Sequence, residues 1–208
     1  MIDCAEGRNP TAMRLGILGG TFDPIHFGHL FIAEEARISH SLDRTLFLPN
    51  GRPPHKEHDR LTAASHRLEM TRLATESNQY FLCSSIEADR TEVSYTVDAL
   101  RTIQEEYPGS ELFYIAGVDA IAELMTWKQP EKVIELTKFL AVTRPGYDLE
   151  LLKKRLPETF LARIEILETD SPDISSSVIR ARLNAGLAVR YLLPEVVLEY
   201  IVKHRLYR

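Results

Sequence analysis

Cysteine is nearly absent: there are two in 208 residues, at positions 4 and 83, with no metal-ligand spacing and no basis for a disulfide scaffold. Long apolar runs are missing as well, and nothing approaches the roughly 20 residues needed to cross a bilayer. The opening MIDCAEGRNPTA has neither an apolar core nor a basic start, so it does not read as a secretory signal, and the cytoplasm is the expected compartment. Positive charge is not in surplus. With 25 Lys and Arg against 30 Asp and Glu, the formal charge of −5 argues against a nucleic-acid partner, while a local basic pocket for phosphates stays open. No internal repeat, low-complexity tract or linker divides the chain. It also lacks a Walker A lysine motif and a GxGxxG loop, which removes two common nucleotide-binding readings.

What remains is an ordinary globular composition, 44% hydrophobic and 26% charged, in a chain long enough to bury a full core. Residues 1–12 read as a disordered extension, with Met13 available as an internal start, and residues 13–208 as a single domain. Apolar runs predict strands over Arg14–Gly19, Thr45–Pro49, Tyr80–Cys83, Glu111–Ala116, Lys138–Thr143 and Arg163–Leu167. Helical patterns fall between them at His29–Ile38, Ala63–Thr75, Thr96–Glu106, Ala120–Met125, Glu131–Leu136 and Leu149–Arg155. Two more follow the last strand, Ser176–Ala185 and Pro194–His204, the second without a functional signal. Strands separated by helices imply right-handed crossovers onto a parallel sheet. LFLP and FLAV are apolar on both faces, as strands covered by helices on both sides should be. The expected architecture is α/β, a doubly wound parallel sheet.

In such a sheet ligands sit beyond the carboxyl ends of the strands, near the switch point. The loop after the first strand is GGTFDPIHFGH, residues 19–29. Gly19 and Gly20 let backbone approach a ligand, and the following helix aims its free N–H groups at the same place. His26 and His29, three apart on a first turn, put their Cβ atoms roughly 5–6 Å apart. A metal would want a third ligand with recognisable spacing, and none is evident; a structural cap suits one histidine better than two. Hydrogen bonding to phosphate is the favoured reading. After the last strand, DISSSVIRARL (173–183) collects hydroxyls and helix N–H groups, with Arg180 one turn inside on the face of Ser176 and Ser177. A plain N-cap with a surface arginine would explain it alone. Opposite a second anion-binding helix start, a polyphosphate clamp explains it better.

GGTFDPIHFGH with ISSSVIR resembles the paired signature of the HxGH nucleotidylyltransferases. LPNGRPPHK (48–56), SYTVDAL (94–100), YIAGVDA (114–120), TWKQPEKV (126–133) and AVTRPG (141–146) make the sequence similar to the bacterial nicotinate-nucleotide adenylyltransferases, in the right order from Arg14 onward. The resemblance implies the Rossmann-like nucleotidyltransferase fold with helices on both faces. It also implies ATP and nicotinate mononucleotide as substrates, with Mg²⁺ arriving on ATP and no metal site on the protein itself. Neither a nucleic acid nor a membrane partner is implied, and a homo-oligomer is left open. His26, His29 and Arg180 would be catalytic. Gly19, Gly20, Thr21, Phe22, Gly28, Gly117, Asp119, Arg144, Ser176 and Ser177 would bind ATP. Asp119 could accept from a ribose hydroxyl, cap the helix beginning near Ala120, or do both. His55, Lys56, Tyr95, Thr96 and Trp127 would bind the mononucleotide, with the Trp127 ring on the pyridine. The sequence departs from the family where an aromatic commonly follows the tryptophan, since Lys128 stands there.

Two rivals remain in view. A pantetheine-phosphate adenylyltransferase shares the histidine and serine-arginine logic but has no use for TWKQP and SYTVDAL. A nucleotide-binding regulator without catalysis would also use His26, His29 and Arg180.

Overall fold

The computed structural model describes residues 12–52, 61–90, 93, 95–143 and 150–208. Six strands form: β1 (Arg14–Gly20), β2 (Arg44–Pro49), β3 (Phe81–Cys83), β4 (Glu111–Gly117), β5 (Lys138–Thr143) and β6 (Ile164–Glu168). They pair in the order β3-β2-β1-β4-β5-β6, every pair parallel. This is the doubly wound order, with its switch point between β1 and β4.

Strand alternation builds two cores. Leu15 and Ile17 of β1, Leu46 and Leu48 of β2, Leu112 and Tyr114 of β4, and Phe139 and Ala141 of β5 pack on one face. Leu18, Phe47, Phe113, Ile115, Leu140 and Val142 pack on the other. The first face is covered by α3 (Thr96–Glu106), α4 (Val118–Ala122), α5 (Pro130–Leu136), α6 (Glu150–Arg155) and α7 (Glu158–Leu161). The second is covered by α1 (Phe27–Ser39), α2 (Ala64–Thr75), α8 (Ser176–Asn184) and α9 (Glu195–His204).

Element ends differ from the sequence reading in three instructive places. The helix expected at Ala120–Met125 begins at Val118 and gives way to a 3₁₀ turn at Leu124–Thr126, because Val118, Ile121 and Ala122 form its buried stripe. The helix α7 was not expected; Pro157 caps four residues around a buried Phe160, too short a run to carry a period. The last strand moves one residue on, to Ile164–Glu168, and the Arg163 guanidinium instead donates to the Ile134 carbonyl at 3.0 Å. Residues 1–11, and so nearly all of the expected extension, lie outside the described residues. None of the helices among the described residues is long and apolar enough to cross a membrane.

Candidate functional site

The sheet opens at its switch point. Pairing of β1 with β4 ends at Leu18↔Ile115, yet each strand continues with its outer neighbour, Gly19↔Leu48 and Gly20↔Pro49 on one side, Ala116↔Ala141 and Gly117↔Val142 on the other. Two residues of each strand therefore part around a cleft at their carboxyl ends. The glycines here are also packing choices. A Cβ on Gly19 would collide with the Tyr114 hydroxyl, and one on Gly20 would lie 2.8 Å from the Phe22 ring. Around Gly117 the space a Cβ would take is empty, as close approach by another molecule requires.

Phe22 holds a left-handed backbone (φ 48°) with its side chain buried, so it can present only main chain to a ligand. His26, extended at φ −149°, caps α1, and the helix begins at Phe27. Its buried ring stacks on His29 with centroids 3.6 Å apart. That stack needs Gly28 between them, because the His26 ring sits 3.1 Å from where a Gly28 Cβ would be. The His26 N–H donates to His29 Nδ1 at 3.3 Å, an arrangement that leaves the proton of a neutral His29 on Nε2. Burial pushes the His26 imidazole down to about 4, so it is neutral at pH 7, and its buried Nδ1 has no partner among the described residues.

Across the cleft, Ser175 caps α8 by accepting from the Val178 N–H at 3.3 Å. The hydroxyls expected to gather for a ligand are mostly engaged: Ser176 Oγ donates to the Pro24 carbonyl at 2.9 Å, and Ser177 Oγ lies 3.1 Å from Ser175 Oγ. The Ser176 and Ser177 N–H groups, at the first helical positions, have no intrahelical acceptor to use. Arg180 donates through Nη1 to the Asp23 carbonyl at 2.7 Å, and no other hydrogen bond from its guanidinium is seen among the described residues. The two helix starts are thus tied to one turn.

On the opposite face of the sheet lies a second group. Tyr114 is buried under Gly19, and burial pushes its phenol well above the usual range. Trp127 is half-buried, edge-on to Tyr114 (5.8 Å) and Phe139 (6.1 Å). Tyr95 caps α3, and Thr96 opens it. Lys128 Nζ sits 4.3 Å over the Tyr95 ring and 3.0 Å from Asp98 Oδ2. Nearby, burial pushes the Glu87 carboxyl up to about 7, Arg90 opposing and Asp98 adding to the shift.

The capping role considered for Asp119 does not hold. Gly117 occupies the N-cap position of α4, and Asp119 lies exposed in its first turn. His55, Lys56 and Arg144 lie outside the described residues. Sequence reasoning missed Asp23, Arg67, Tyr114 and Tyr207. Arg67 alone left a signal, an arginine on the same helical face as Met70, Thr71 and Ala74.

Residues 17–182 match the model of the cytidylyltransferase-like family. A "probable nicotinate-nucleotide adenylyltransferase" of Desulfitobacterium hafniense is 44% identical over 204 residues, covering 96% of this chain and 98% of its own. Another so described, from Moorella thermoacetica, is 46% identical over 94% of this chain and 92% of its own. Among solved structures, the Plasmodium falciparum nicotinic acid mononucleotide adenylyltransferase complexed with NaAD superposes with a TM-score of 0.76. It is 21% identical and covers 94% of this chain and 97% of its own, a likeness of fold.

Proposed function

This chain belongs to the cytidylyltransferase-like family and, within it, to the nicotinate-nucleotide adenylyltransferases; from that premise we propose how its residues divide the work. The enzyme joins ATP to nicotinate mononucleotide, giving deamido-NAD and pyrophosphate. A phosphate oxygen of the mononucleotide attacks the α-phosphorus of ATP in line, the bond from α-phosphorus to the β-bridging oxygen breaks, and pyrophosphate carries the electron pair away. No covalent enzyme intermediate is needed, so catalysis is positioning and charge stabilisation.

The observation that carries this reading is the meeting of two helix N-termini at the split in the sheet, one bearing the stacked His26–His29 pair and the other Arg180. His26 and His29 donate to α- and β-phosphate oxygens as charge moves onto the leaving group. Because His26 is neutral at pH 7, it acts as a hydrogen-bond donor and not as a fixed cation. The remaining guanidinium N–H groups of Arg180, with the Ser176 and Ser177 N–H groups, take the β/γ end. Gly19, Gly20, Thr21, Phe22 and Gly28 shape the backbone turn around ATP. Gly117 leaves room for ribose, and Asp119 accepts from its hydroxyl. Trp127 stacks on the pyridine, and the Thr96 N–H meets its carboxylate with Tyr95 alongside. By their motif positions, His55 and Lys56 reach toward the mononucleotide phosphate and Arg144 toward ATP.

The described residues hold no cluster of three or more His, Cys, Asp or Glu able to bind a metal. Mg²⁺ would arrive on ATP, as a small hard ion held chiefly by phosphate oxygens and water, and would supply charge neutralisation. The reading also carries a cytoplasmic site of action.

Pyrophosphate release tests it, with ATP and either nicotinate mononucleotide, its amide, or phosphopantetheine. The acid should exceed the amide by roughly 10²–10⁴ in kcat/KM, because a carboxamide must turn its NH₂ toward buried donors. Changing His29→Ala should lower kcat by about 10²–10³. Turnover with phosphopantetheine alone, or ATP binding without turnover, would sink the proposal.

A further inference from the structure

The chain returns to the phosphate turn at its far end. After α9, Arg205 (φ 54°) and Tyr207 (φ 60°) both take left-handed backbone, which is costly for residues other than glycine. Between them Leu206 packs, partly buried, against the core on this face of the sheet. The outcome of this bend is one contact: the Tyr207 hydroxyl donates to Asp23 Oδ1 at 2.6 Å. Asp23 is 2% exposed, and a carboxylate so buried must be satisfied locally. Its Oδ2 takes the Thr62 N–H at a long 3.4 Å. Burial and the Asp23 charge both hold Tyr207 protonated, the state in which it can donate.

Asp23 belongs to the turn that carries the site. Its own carbonyl orients Arg180 at 2.7 Å, the next carbonyl, of Pro24, holds Ser176 at 2.9 Å, and His26 follows two residues later. A charge-assisted bond to the side chain of Asp23 therefore fixes the peptide to which Arg180 is anchored. Freed from the phenol, the carboxylate would face two cations. The Arg67 guanidinium is already committed to three carbonyls, whereas Arg180 is bonded, among the described residues, only to the Asp23 carbonyl and so is the one free to be captured. An arginine paired with aspartate is lost to phosphate.

We propose that Tyr207 is a positioning residue for adenylyl transfer, acting through Asp23 to hold the histidine turn in place and to keep Arg180 available to ATP. This rests on the assignment of Arg180 made under Proposed function.

Tyr207→Phe tests it, because the ring and its packing stay while the donor is removed. The expected result is a fall of about 10–100-fold in kcat/KM for ATP, the value of one hydrogen bond to a charged group, with KM for nicotinate mononucleotide within about twofold. In an Arg180→Ala background the same change should cost less than about twofold, since both act through one contact. A merely structural tyrosine would instead raise both Michaelis constants and add fully to Arg180→Ala. Either that pattern or wild-type kinetics overturns the proposal. Should Tyr207→Phe fail to fold, Asp23→Asn keeps the shape, weakens the acceptor and should give the same ATP-selective loss; no loss there is equally fatal. A wild-type protein inactive with ATP and nicotinate mononucleotide would overturn the proposed function itself, and this proposal with it.

Discussion

Of the two imidazoles stacked at 3.6 Å, His26 is the buried one, and that burial keeps it neutral. The consequence is a pH-dependent stability with a definite sign. Unfolded, His26 titrates near 6.5; folded, near 4. Between those values the unfolded chain takes up a proton that the folded chain refuses, so stability present above pH 6.5 is lost as pH falls. From pH 7 to 5 the loss from this residue is about 2 kcal/mol. Urea unfolding at both pH values should show that loss in wild type and lose about that increment in His26→Asn. His40, also depressed by burial, moves both proteins alike. An equal drop in both would exonerate His26. The histidine pair itself was legible in the sequence, because HFGH at the start of a helical run is local chemistry. Arg180 was legible too, from ISSSVIR at a second helix start, but the bonds that anchor the turn were not. Arg180 reaches the Asp23 carbonyl across 157 residues and Tyr207 reaches the Asp23 carboxylate across 184, and nothing local announces bonds of that span.

At the scale of elements, α2 owes its placement to Arg67. The guanidinium is 1% exposed and donates to three carbonyls, Thr62 at 2.9 Å, Thr21 at 2.8 Å and Gly51 at 2.8 Å. It therefore joins the loop after β1 to the loop after β2 and to the entry of its own helix. Burial lowers its pKa, and the nearby Asp23 charge opposes the shift. Arg67→Met keeps length and volume but orphans three acceptors. A loss of about 3–5 kcal/mol is expected in denaturant unfolding, with KM for both substrates raised because both loops shift. A loss below about 1 kcal/mol would mean that water replaces the guanidinium. The central strands β1, β2, β4 and β5 were readable to within a residue at each end because burial on both faces leaves nearly unbroken apolar runs. Short helices were less so. The start of α4 depends on which side of Val118 meets the core, and α7 is a single turn.

For the whole molecule, the sequence pattern implied a doubly wound sheet, whereas strand order depends on which faces bury one another across long crossovers. That order puts the two halves of the site on opposite faces. Phe22, Ile25 and Ile179, which support the histidines and Arg180, pack with one core, while Tyr95, Tyr114 and Trp127 pack with the other. Only the parted ends of β1 and β4 connect them. Trp127 is also the one tryptophan in the chain. Its indole emission therefore reports from a single face of the sheet, the one opposite the phosphate turn. Nicotinate mononucleotide alone should quench that emission, ATP alone should leave it nearly unchanged, and a titration in each ligand should separate two binding events that a calorimeter would record as one. Equal quenching by ATP would mean that the two faces are not optically independent.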